Sequence, residues 1–90
     1  MSLQIRINKK FLKELSQIPP YQRAKIEQFV FIEISKLNSK EKIRNLKRLK
    51  GYKHHYRIRF GNYRAGITIL DNVVIFQRLL HRKDIYKYYP

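Results

Sequence analysis

Apolar residues recur along this chain with two different periods, and the period changes where proline, glycine and asparagine interrupt it. In LQIRI, residues 3 to 7, Leu3, Ile5 and Ile7 alternate with polar neighbours, which marks a half-buried strand. In KKFLKELSQI the apolar residues Phe11, Leu12, Leu15 and Ile18 fall at helical spacing. Asn8 stands where this helix needs a cap, and Pro19-Pro20 stops it. Pro20 also suits the first turn of a second helix, where a missing N–H costs nothing. From Tyr21 to Leu37 the residues Ala24, Ile26, Phe29, Val30, Ile34 and Leu37 share one wide helical face, so the spacing predicts a helical hairpin. The polar stretch NSKEKIRNLKRLKG, residues 38 to 51, reads as a loop or short helix ending at Gly51. Three strands are predicted after it, at His54 to Phe60, Tyr63 to Leu70 and Val73 to Leu80, joined by two-residue turns at Gly61-Asn62 and Asp71-Asn72.

This order, β-α-α-β-β-β, predicts a single α+β domain over residues 1–90, with two N-terminal helices packed on one face of an antiparallel sheet. The other face is left free. On the strand HYRIRF, residues 55 to 60, Tyr56, Ile58 and Phe60 point one way, toward the helices, and His55, Arg57 and Arg59 point the other. The Gly61-Asn62 turn returns Arg64 to the free face, with Gly66 and Thr68 following at its period. Arginines beside small residues predict a shallow cationic trough.

Charge sharpens this picture. The chain holds 21 Lys and Arg against 6 acids, a net charge of +15, so a polyanion is the expected partner. Residues 40 to 64 concentrate Lys40, Lys42, Arg44, Lys47, Arg48, Lys50, Lys53, Arg57, Arg59 and Arg64 against Glu41 alone. Charge runs in loops are commonly only solvated surface. Three arginines on one sheet face are different, because they repel one another unless an anion occupies the face. Arginine's planar fork matches phosphate oxygens, and such binding weakens steeply with salt. Hence Lys47, Arg48, Lys50, Lys53 and His55 are expected to bind a phosphate-bearing polyanion around the three arginines. No cysteine is present, which fits a reducing, cytoplasmic setting and excludes disulfide scaffolds and thiolate metal sites. With three histidines and few acids, no metal centre or small-molecule cofactor is expected. No run approaches the roughly 18 apolar residues of a membrane span.

The C-terminal LLHRKDIYKYYP gathers His81, Arg82 and Tyr86 where the last strand ends. A histidine titrates near neutrality, a phenol can donate or orient, and an arginine can stabilise phosphorane charge. The tyrosines near the end suit either core cover or stacking platforms for RNA.

RLKG at 48 to 51, YRIRFGNYRAGI at 56 to 67 and HRKDIY at 81 to 86 resemble the signatures of the RelE/ParE superfamily of type II toxin–antitoxin toxins, over nearly the whole chain. Similarity to the RelE branch implies a ribosome-dependent messenger RNA endonuclease, and similarity to the ParE branch a DNA gyrase inhibitor; the basic face also fits a non-catalytic nucleic-acid-binding module. On the RelE pattern the strand-borne basic pair falls on Arg57 and Arg59, the next-strand arginine on Arg64, and the late arginine and tyrosine on Arg82 and Tyr86. His81 stands where many relatives have histidine. The resemblance implies attack of a ribose 2′-OH on the adjacent phosphate without metal, with Arg64 and Arg82 stabilising charge and His81 or Tyr86 moving the proton. Arginines at 57 and 59 replace the lysines of RelE proper, and Glu41 lies in the basic loop. The resemblance further implies a cognate antitoxin that covers the trough, with the ribosome and mRNA as targets.

Overall fold

A computed structural model of the chain describes residues 2–90. Its α+β architecture is the one the pattern predicts, with a five-stranded sheet in the order β1-β5-β4-β3-β2. The strands are β1 (Gln4–Ile7), β2 (Leu46–Arg48), β3 (His55–Phe60), β4 (Tyr63–Leu70) and β5 (Val73–His81). Two helices, α1 (Lys9–Ser16) and α2 (Pro20–Gln28), precede the meander, and a short helix, α3 (Ile85–Tyr88), follows it. Strands β2 to β5 are antiparallel, whereas β1 lies parallel to β5. The sheet is therefore mixed rather than wholly antiparallel, because the helical hairpin carries the chain from β1 across the sheet to its far edge.

Local chemistry accounts for the boundaries. Asn8 occupies the N-cap of α1 in an extended conformation, yet its side chain makes no capping hydrogen bond. Pro20 opens α2. The expected helix from Tyr21 to Leu37 is interrupted: α2 runs into a wide π-helical turn at Phe29–Glu33 and a 3-10 turn at Ile34–Lys36. Residues four apart on an α-helix drift about 40° around its axis at each step. A wider turn offsets that drift and keeps Ile26, Val30 and Ile34 all buried, while Ala24 is exposed. Gly61 and Asp71 hold positive φ, +58° and +55°, at the first central positions of their hairpin turns.

The main core lies between the helices and one sheet face. Phe11, Leu15, Ile26, Val30 and Ile34 pack with Tyr56, Ile58, Ala65, Ile67, Val74, Phe76 and Leu79, and the Phe11 and Phe76 rings tilt together at 5.1 Å. Sheet alternation thus divides the strands as predicted. A register shift between Gly66 and Ile67 inserts an extra residue into β5. Just beyond it Arg78 wraps toward α1, binding Glu14 at 2.8 Å, while the Leu79 N–H donates to the same carboxylate at 3.0 Å. Glu14 thereby caps the part of the β5 edge that β1 does not reach.

Candidate functional site

Strand register assembles the candidate site on the face away from the main core. Lys47 stands directly opposite Arg57, and Arg59 directly opposite Arg64. Like charges directly across a strand pair destabilise a sheet. Here two such pairs lie side by side. The segment expected to be a loop or short helix supplies β2 at Leu46–Arg48, so Lys47 reaches the site from a sheet edge.

A groove of about 250 Å³ runs over these cations, lined by Asn45, Leu46, Lys47, Arg57, Arg59 and Arg64. It adjoins a larger hollow of about 390 Å³ that shares Lys47 and Arg57 and adds Arg48, Leu49, Lys50, Tyr52, Tyr86, Tyr89 and Pro90. None of the six acids, all among the described residues, lines either part. Glu41 is exposed on the 3-10 turn Lys40–Lys42, outside the groove.

Arg64 is the best anchored of the cations. Its Nη1 donates to the carbonyls of Gly61 at 2.6 Å and Tyr63 at 3.0 Å, which bends the guanidinium over the hairpin turn. Partial burial lowers its pKa, Arg57, Arg59 and Arg82 add repulsion, and Tyr86 opposes them only when ionised. An arginine remains charged through such shifts. Arg82 and Tyr86 therefore share Arg64's electrostatic field, and the Arg82 N–H donates to the Asn62 carbonyl at 2.8 Å, tying that residue to the same turn.

Other predicted residues fall elsewhere. His81 pairs with Tyr63, on the helix-facing side of the sheet, and their rings meet edge to face at 5.7 Å. Its Nδ1 accepts the Lys83 N–H at 3.2 Å. Register parity thus turns His81 away from Arg57 and Arg64. Lys53 is exposed and lines neither part of the groove. His55 lies on the site side but is held in an aromatic row, 5.3 Å from the Tyr52 ring and 5.7 Å from that of Tyr89. Lys40 points into the other side of the sheet, donating to the Tyr56 hydroxyl at 3.2 Å.

The small residues expected to leave the trough open are covered. Tyr89 lies over Gly66 so closely that a Cβ at that position would come within 2.5 Å of the ring, and its hydroxyl donates to the Ile67 carbonyl. Burial pushes the Tyr89 phenol up to about 12. With Leu49 and Ile85 it forms a second buried cluster, against which Leu80 packs. The terminal tyrosines accordingly divide: Tyr89 is core, whereas Tyr86 and Tyr88 are 61% and 58% exposed. Tyr52 and the Arg78–Glu14 pair carried no signal in the sequence, since both depend on which strands meet.

A family model described as the ParE toxin of type II toxin–antitoxin system, parDE, matches residues 5–86. Toxin RelE3 of Methanocaldococcus jannaschii is 39% identical over 89 residues, covering 98% of this chain and 100% of the relative. Putative toxin RelE1 of the same organism is 35% identical, covering 97% and 98%. Among solved structures, the toxin of a RelB-RelE antitoxin-toxin complex from Methanococcus jannaschii superposes with a TM-score of 0.79 at 40% identity, over 94% of this chain and 99% of that one. A chain of the RelBE2 complex from Mycobacterium tuberculosis gives 0.71 at 26% identity, over 91% and 100%.

Proposed function

Because this chain belongs to the ParE toxin family of type II toxin–antitoxin systems and is similar to RelE toxins along almost its full length, we propose that it is a ribosome-dependent messenger RNA endonuclease. The observation that carries this reading is the pair of directly opposed cations, Lys47 with Arg57 and Arg59 with Arg64, in a groove that no acid lines. Their mutual repulsion is relieved when phosphates occupy the groove, and fixed cations stabilise the negative charge that develops during phosphoryl transfer.

In this mechanism the ribose 2′-OH attacks the adjacent phosphorus and the 5′-oxygen of the next nucleotide leaves, giving a 2′,3′-cyclic phosphate and a 5′-hydroxyl. Arg64, fixed by two backbone carbonyls, and Arg82 stabilise the phosphorane. Arg57 and Arg59 hold the flanking phosphates, with Lys47, Arg48 and Lys50 extending the track. Tyr86, exposed in the field of Arg64, is the proton-transfer group at the site. His81 is not, because its strand position turns it to the other face. Positioning the 2′-OH in line supplies much of the remaining rate.

A cognate antitoxin is the second partner in this reading, as in the RelB-RelE complexes that the fold matches. An acidic antitoxin segment would neutralise the same cations and block RNA entry.

Primer extension on a defined message in a translating extract tests the proposal. Cuts within codons that need ribosomes, fall about 10²–10³-fold in Arg64→Ala and vanish with saturating antitoxin are expected. The match to the ParE model favours one second reading, a gyrase-directed toxin. Trapped DNA breaks with no codon cuts would establish that alternative and overturn the endonuclease.

A further inference from the structure

We infer that the larger hollow beside the arginines is a nucleobase subsite, in which Tyr52 stacks the base of a nucleotide whose phosphate rests on Lys47 and Arg57. The inference rests on the proposed RNA reading and adds where a base is held.

The two parts of the groove differ in chemistry. The smaller one is lined by four cations with Asn45 and Leu46, has no aromatic wall, and suits phosphates. The larger one also holds four cations, Lys47, Arg48, Lys50 and Arg57, but adds aromatic walls, Tyr52 from the β2–β3 connection and Tyr86 from α3, above a floor that includes Tyr89. Lys47 and Arg57 line both. A ligand that fits both parts meets cations throughout and aromatic faces only in the larger one, so the groove suits an anion that carries a flat, apolar group. A nucleotide is such an anion, and every base offers a π-face whatever its hydrogen-bonding edge.

Tyr52 is poised for this role. It is 47% exposed, so part of its ring is open to a stacking partner. Its backbone N–H donates to the Leu49 carbonyl at 3.1 Å, and its ring rests edge to face on His55 at 5.3 Å. His55 in turn rests on Tyr89, which is locked over Gly66. The exposed ring is thus the outer member of a row anchored in the fold, and little freedom remains to be lost when a base stacks on it.

The test compares two probes at low salt by NMR titration of the isolated toxin: adenosine 5′-monophosphate and ribose 5-phosphate, which share a phosphate and sugar but differ in the base. The nucleotide is expected to bind at least about fivefold more tightly. Tyr52→Ala should erase that advantage while leaving the ribose 5-phosphate affinity unchanged, and Tyr52→Phe should retain it. Equal affinity of the two probes for the wild type, or an advantage that survives Tyr52→Ala, would overturn the subsite. The outcome is independent of catalysis. A base advantage without ribosome-dependent cuts defeats the endonuclease and keeps the subsite, whereas cuts without a base advantage do the reverse.

Discussion

The two faces of the sheet solve opposite problems. On the helix side, large apolar residues from five elements close over one another, and Phe11, Ile34, Ala65, Ile67, Val74 and Phe76 have no measurable exposure. On the other side a cluster of Leu49, Ile85 and Tyr89, backed by Leu80, stands next to opposed cations. The first face carries the stability of the chain. The second spends stability on charge repulsion and keeps only enough apolar contact to hold α3 and the β2–β3 connection in place. A small basic protein can carry such a groove because the burden of folding falls on the opposite face.

The largest expected effect that separates the faces is Phe76→Ala. Removing this fully buried ring should cost about 3–5 kcal/mol of stability, measured by urea unfolding, with RNA affinity at low temperature unchanged. Arg64→Ala inverts that result: a fall of about 10²–10³-fold in cleavage, with the unfolding midpoint moved little. If both variants lost stability alike, the division of labour would be wrong.

Alkaline titration addresses the small cluster. The Tyr89 phenol is pushed up to about 12, above the ordinary tyrosine value near 10. Burial favours its neutral form, so its contribution is fully present below about pH 10 and is lost as pH rises toward 12, a change of about 2–3 kcal/mol. Difference ultraviolet titration should show one tyrosine ionising late, absent in Tyr89→Phe; complete ionisation near pH 10 would contradict the packing. Gly66→Ala, the smallest of the four, should displace the Tyr89 ring at a cost of about 1–3 kcal/mol. Primer extension should show cleavage reduced several-fold in the folded variant; unchanged cleavage despite a lowered midpoint would show that the Tyr89 ring does not position the groove.

Strand alternation made most of this legible in the sequence. Tyr56, Ile58 and Phe60 could be set against Arg57 and Arg59 because the period of two is strict within a strand, and the turns at Gly61 and Asp71 fixed which residues return. That reasoning stops where residues meet through topology. The pairing of Lys47 with Arg57 required β2, whose three residues are too short and too basic to show a strand period. Closeness in sequence groups His81 with Arg82 and Tyr86, but the strand's alternation continues through His81 and sends it to the other face. The parallel placement of β1 likewise leaves no local mark. Gly66 and Thr68 suggest an open floor, because nothing in their own neighbourhood shows that Tyr89 returns from the far end of the chain to fill it.

The smallness of the second cluster has a thermal consequence. Three buried side chains and one flanking leucine, with the Tyr89 hydroxyl on the Ile67 carbonyl and Arg78 on the Tyr88 carbonyl, hold the C-terminal segment to the sheet, while the principal core includes none of those four side chains. Opening of residues 85–90 can therefore precede global unfolding as a separate, lower-energy event, with faster amide exchange there than in β4 or β5. Warming would detach Tyr86 from the arginines while the rest of the molecule stays folded. Such a toxin would fall silent at a temperature below its own melting point and recover on cooling without having to refold.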